Sequence, residues 1–99
     1  MQPSTFSFPA WIDRLPAKEQ PRARVRFILK LVAVLATSEG SVTALSRRIG
    51  LHRNSLNSMI ASGAIDGGLP VNVIKAIEQT IGVGVIPRCV MNPEIYGEP

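Results

Sequence analysis

Cysteine, histidine, tryptophan and tyrosine occur once each in this chain of 99 residues. A lone Cys89 cannot form an internal disulfide, and one Cys with one His cannot build a zinc site unaided. A reducing, intracellular compartment, the cytoplasm, is therefore the expectation. No apolar run approaches the ~20 residues needed to span a bilayer, so no membrane role is expected. The stretch RARVRFILKLVAVLATSEG has the charge and hydropathy order of a signal peptide. It lies behind Pro16 and Pro21 and is interrupted by Lys30, and we read it as part of the folded domain. No nucleophile–base pair or carboxylate pair stands out, which argues against an enzyme. Gly82 and Gly84 follow a helical pattern and not a strand, so they do not form a nucleotide loop. No cofactor or metal is expected.

Acid is also missing from one particular place. Between Gly40 and Gly63 there is no Asp or Glu. The chain carries a formal charge of +4 with a pI near 10.0, and that charge is unevenly spread. From Arg14 to Arg53 there are nine basic residues (Arg14, Lys18, Arg22, Arg24, Arg26, Lys30, Arg47, Arg48, Arg53) against Glu19 and Glu39. After Gly63, Lys75 and Arg88 face Asp66, Glu78, Glu94 and Glu98. A basic first half suits a polyanionic partner.

What remains is helical in pattern. With 45% hydrophobic and 18% charged residues, the chain suits one domain with one modest core. Residues 1–20, with three prolines, read as an irregular arm with at most one turn at Trp11 to Leu15. The arm's Phe6, Phe8, Trp11, Ile12 and Leu15 need something to pack on. A first helix is expected from about Pro21 to Thr37, with proline at the first helical position. Val25, Ile28, Leu29, Val32, Leu35 and Ala36 form one apolar stripe; Phe27, Leu31 and Val34 form a second. So wide an apolar face implies burial from two directions, the domain core and either the arm or a second subunit, with the arm favoured. Arg22, Arg26 and Lys30 share the wet side. Gly40 reads as a left-handed cap ending this helix.

Further helices are expected at about Val42 to Ile49, capped by Ser41, at about Arg53 to Ser62, and at about Val71 to Ile81, opened by Pro70 and ended by Gly82. Val73, Ile74, Ile77 and Ile81 form the inner side of the last. Pro87 to Met91 reads as a single turn, followed by an extended tail. Cys89 reads as a small core residue, and Trp11 and Tyr96 as packing residues.

The segment ALSRRIGLHRNSLNSMI, residues 44–60, carries the chemistry. Leu45 and Ile49 face inward on one helix; Leu56, Met59 and Ile60 face inward on the next. Ser46 is small enough for the two helix axes to approach closely. Gly50 supplies the positive φ that a tight reversal needs, and Leu51 plugs the corner. This spacing is the helix-turn-helix pattern. With the apolar side turned in, Asn54, Asn57, Ser58 and Ala61 fall on the opposite side, with Arg53 at the helix start. Amides, hydroxyls and guanidinium groups read base edges in the major groove, and Ala61 keeps the face thin and can touch a thymine methyl. Arg47 and Arg48, with Ser41 and Thr43 at the other end of the preceding helix, suit backbone phosphates. His52 suits capping or a phosphate contact. The plain alternative for Asn54, Asn57 and Ser58, and for Arg47 and Arg48, is an ordinary solvated face.

Val42 to Ala61 resembles the helix-turn-helix of the Cro and lambda-repressor-like phage regulators. GLPVNVIKAIEQTIG is similar to the next helix of Cro-like and YdaS-like proteins, and VMNPEIY resembles their closing tail. The similarity spans roughly residues 40 to 96. It departs at His52, where the family prefers Ser or Thr as the cap of the reading helix. The resemblance implies an all-α, lambda-repressor-like domain of four to five helices over residues 21–96, with the N-terminal arm added. It implies a homodimer on a two-fold double-stranded DNA operator, working as a transcriptional regulator of repressor type. Two other functions fit the resemblance. One is an antitoxin that represses its own promoter and sheathes a toxin through the arm; the other is a protein–protein adaptor that kept the fold and lost DNA binding.

Overall fold

The computed structural model describes residues 6–97, and every element in it is helical. Helix α1 is a single turn, Ala10–Asp13. A 3₁₀ turn at Ala17–Glu19 then leads into the long helix α2, Gln20–Ala36, which has a proline in its first turn. Helix α3 is Val42–Arg48, α4 is Ser55–Ser62 and α5 is Val71–Ile81. Two single turns close the chain, α6 at Arg88–Met91 and α7 at Pro93–Tyr96. The count of α-helical segments among the described residues therefore exceeds the four to five expected, because three of them are turns of four residues. No helix among the described residues is long and apolar enough to cross a membrane.

Helix α2 is the axis of the molecule. Val25, Ile28, Leu29, Val32 and Ala33 are buried along it and meet Val42 and Leu45 of α3, Leu56 and Ile60 of α4, and Val73, Ile74 and Ile77 of α5. Each fully buried leucine or isoleucine contributes about 1.5–3 kcal/mol relative to exposure. The inner side of α5 is as expected, with Ile81 half-buried at its end. Helix α2 does not end on Gly40. Thr37 turns extended, its N–H and its hydroxyl both donate to the Ala33 carbonyl, and the hydroxyl accepts from the Gly40 N–H. Gly40, at φ +67°, shapes the turn beyond.

The arm folds back on α2. The Phe6 and Phe8 rings meet edge-on at 5.3 Å, and both approach Phe27, at 6.3 and 6.0 Å. Ile12 is fully buried. The second apolar stripe of α2 is thus covered by the arm at its Phe27 end. The cover stops short of Val34, which is 65% exposed, and Leu35, expected on the core-facing stripe, instead points outward near the helix end and is 55% exposed. Trp11, expected to pack, is 51% exposed, while Tyr96 is half-buried under the Arg88 guanidinium. Cys89 is half-buried. The arm as read from the sequence begins at Met1, and its first five residues lie outside the described residues.

The tail is not extended. Asn92 is a buried N-cap: its Oδ1 accepts from the Ile95 N–H, and Pro93 follows in the first turn of α7. The Asn92 amide also donates to the Leu69 carbonyl at 2.9 Å, and the Leu69 N–H donates to the Met91 carbonyl. These bonds fasten the tail to the loop that precedes α5.

Candidate nucleic-acid interface

The turn between α3 and α4 is built by three residues. Gly50 adopts φ +84°, where a Cβ is strained. The Leu51 N–H donates to the Ser46 carbonyl at 2.8 Å, and the Leu51 side chain packs half-buried against the core. The Ser46 side chain, fully buried, accepts from the Leu56 N–H at 3.3 Å. One of the free amides at the start of α4 is therefore satisfied from the preceding helix, ten residues away in sequence. Ser46 is more than a small residue that permits close approach; it supplies the polar group that fixes α4 against α3.

This arrangement changes where α4 starts. The expected helix from Arg53 begins instead at Ser55, with Asn54 as its N-cap and Arg53 in the turn before it. The Asn54 side chain makes no cap hydrogen bond. His52 takes up part of that role: its Nδ1 accepts from the Asn54 N–H at 3.2 Å, and the Ser55 N–H donates to its carbonyl. Two residues are spent in a turn held by His52, and the cap comes from Ser46. The expected start at Arg53, directly after the break at residues 50–52, is therefore two residues early.

Leu56 and Ile60 are buried, Met59 is half-buried, and Arg53, Asn54, Asn57, Ser58 and Ala61 are all exposed. The amide- and hydroxyl-bearing side of the segment after Leu51 thus points outward, and none of the described residues of the arm or tail covers it. Asn57 is also held in place. Its Nδ2 donates to Thr43 Oγ1 on α3 at 3.2 Å. The Asn57 Oδ1 is left to accept a further donor.

Of the residues expected at phosphates, Arg47, Arg48 and His52 are exposed, and Ser41 and Thr43 are half-buried. The Ser41 hydroxyl accepts from the Ala44 N–H at 3.1 Å and so caps α3. Arg47 and Arg48 border a shallow depression whose other walls are Ala36–Glu39 and Ala44. Ion pairs among the described residues are Arg22–Asp66 at 3.4 Å and Arg88–Glu78 at 2.8 Å. Arg47, Arg48 and Arg53 belong to neither, and their charge is uncompensated by a bonded carboxylate.

A second cleft, of about 490 Å³, reaches Asn57 on the polar side of α4 and is lined by Lys30, Val34, Gly40, Ser41, Val42, Thr43 and Asn57. Lys30 was not among the site residues expected from the sequence. Its spacing from Arg26 marks it as surface, and only the crossing of α2 with α3 and α4 brings it to this cleft. No group of three or more His, Cys, Asp or Glu among the described residues is placed to hold a metal ion.

Neither a protein-family model, nor a curated protein, nor a solved structure matches this chain. What the sequence and the structure define together is an all-α protein with an outward, acid-free polar surface on a short helix.

Proposed function

We propose that this protein is a sequence-specific double-stranded DNA-binding regulator of the Cro and repressor type, inserting α4 into the major groove. One observation carries the reading: Arg53, Asn54, Asn57, Ser58 and Ala61 are all exposed, as are Arg47 and Arg48 on the preceding helix, with no acid between Gly40 and Gly63. Asn pairs bidentately with adenine and Arg with guanine, while Ser adapts to either. Ser58 and Ala61 lie on α4 itself. Arg53 and Asn54, in the turn before it, reach bases or the adjacent backbone from the helix start. Thr43 and His52 adjoin this side through their bonds to Asn57 and Asn54, and with Ser41, Arg47 and Arg48 they take phosphates, fixing its register. The chain acts as a homodimer on a two-fold operator with half-sites about one helical turn apart.

The antitoxin reading draws less support. It needs the apolar arm as a partner-binding segment, yet Phe6, Phe8 and Ile12 are engaged with the chain's own α2. Trp11 alone of the large apolar residues named in the arm is more than half exposed.

Selection of bound sites from random duplex DNA tests the proposal. A palindromic consensus with half-sites about ten base pairs apart is the expected result. Recovery of no enriched sequence, with binding independent of salt or absent, favours the adaptor reading instead.

A further inference from the structure

Arg22, Arg26 and Lys30 stand four residues apart on α2, one above another with about 6 Å of rise between them. Their surroundings differ. Arg22 is half-buried and bonds Asp66 through Nε and Nη2, both at 3.4 Å, so its charge is matched within the protein. Arg26 and Lys30 are exposed and form no ion pair among the described residues. Lys30 lines the cleft that also contains Thr43 and Asn57, and no carboxylate lines that cleft. Asn57 lies on the side of α4 assigned to the bases, and Thr43 holds it. Lys30 therefore shares a cleft with the side of α4 assigned to the bases, on a different helix from every residue so far assigned to DNA. Arg26 continues the same positive row one turn away, and Glu19 lies with Lys18, Arg22 and Arg26 around the groove at the far end.

We infer that Lys30 and Arg26 form a second phosphate-binding strip that follows the DNA backbone outside the groove occupied by α4. This rests on the reading of α4 as a DNA-binding helix. The strip supplies affinity without sequence preference, because lysine and an unforked arginine contact with phosphate carry no base information. Arg22, matched by Asp66, marks its limit. The cation count at the interface is thereby raised beyond Arg47 and Arg48 by residues that a helix-turn-helix pattern does not contain.

A salt titration of binding tests this, using a duplex recovered by selection and a random-sequence duplex of equal length. The proteins are the full chain and its Lys30→Ala, Arg26→Ala, Arg22→Ala, Lys75→Ala and Arg48→Ala variants. Lys30→Ala is expected to weaken both duplexes by the same factor and to reduce the slope of log affinity against log salt by about 1. Arg26→Ala acts in the same direction. Arg22→Ala and Lys75→Ala leave the slope unchanged, and Lys30→Arg restores it. Alanine is the best helix former, so these exposed positions tolerate it; Lys30→Gln, which keeps the side-chain stem, repeats the measurement should Lys30→Ala not fold. An unchanged slope for Lys30→Ala, while Arg48→Ala still lowers it, overturns the strip and leaves the reading of α4 standing. A loss confined to the selected duplex also overturns it, by assigning Lys30 to the bases. Failure of the unmodified chain to bind either duplex removes both.

Discussion

The Ser46 hydroxyl accepts the Leu56 N–H across the turn between α3 and α4, at 3.3 Å and out of contact with water. It joins the start of one helix to the interior of another. Its loss leaves a buried amide without its partner. Ser46→Ala should therefore cost about 0.5–2 kcal/mol, the range of a lost helix cap. Denaturant unfolding measures the cost. Amide exchange at Leu56 should accelerate more than exchange at Ile74, because the damage is local to α4. Equal acceleration at both positions would point to a general loss of packing.

Asn57 and Thr43 are similarly coupled, but on the surface. Asn57→Ala should lower affinity for particular base pairs by about 1–3 kcal/mol, while Arg48→Ala should weaken all duplexes evenly. Thr43→Val removes the hydroxyl that holds the Asn57 amide at 3.2 Å and keeps the side-chain shape. Its effect should fall at the same base pairs as that of Asn57→Ala, and be smaller. Binding to a set of single-base variants of the selected duplex makes the comparison. Losses for Asn57→Ala that are equal on selected and scrambled DNA would contradict a base-reading role.

Gly50 sits at φ +84° with no atom near the position its Cβ would occupy. Space is thus no obstacle, and the penalty of Gly50→Ala isolates the backbone conformation. A left-handed residue with a Cβ costs roughly 1–2 kcal/mol, and Gly50→Asn should cost less than Gly50→Ala. Thermal unfolding of the two variants orders them. The reverse order would mean that the turn relaxes to another conformation.

Legibility followed the range of the interaction. Helix α5 begins after Pro70 and ends before Gly82, both local signals, and its bounds are those read from the sequence. The inward placement of Leu45, Leu56 and Ile60 is periodicity, which is also local. The start of α4 at Ser55 is not legible locally, because its Leu56 N–H is satisfied by Ser46, in another helix. The turn at Pro93–Tyr96 was missed although Asn92 followed by Pro93 is a cap-and-first-turn signal. Half exposure of Trp11 and the position of Lys30 beside Asn57 depend on how α1 and α2 pack, which no window of sequence contains.

Glu78 and Arg88 provide a pH-dependent fastening between α5 and the tail. Arg88 donates from Nε and Nη2 to the two carboxylate oxygens at 2.8 and 2.9 Å, and its guanidinium lies 5.8 Å from the centre of the Tyr96 ring. The Glu78 side chain is 5% exposed. Hydrogen bonding from Arg88 lowers its pKa; burial pushes the other way, and the Arg88 charge adds to the lowering, leaving the group below its ordinary 4.5. A carboxyl with a depressed folded pKa stabilises the protein above the unfolded value. That contribution fades as pH falls from the unfolded value towards the folded one and is absent below both. Glu78→Gln should thus reduce stability at pH 7, and the gap between variant and parent should narrow below about pH 4. Urea midpoints across pH 3–7 give the comparison. A gap that stays constant over that range would show that Glu78 contributes by packing and neutral hydrogen bonding, with its charge of no consequence.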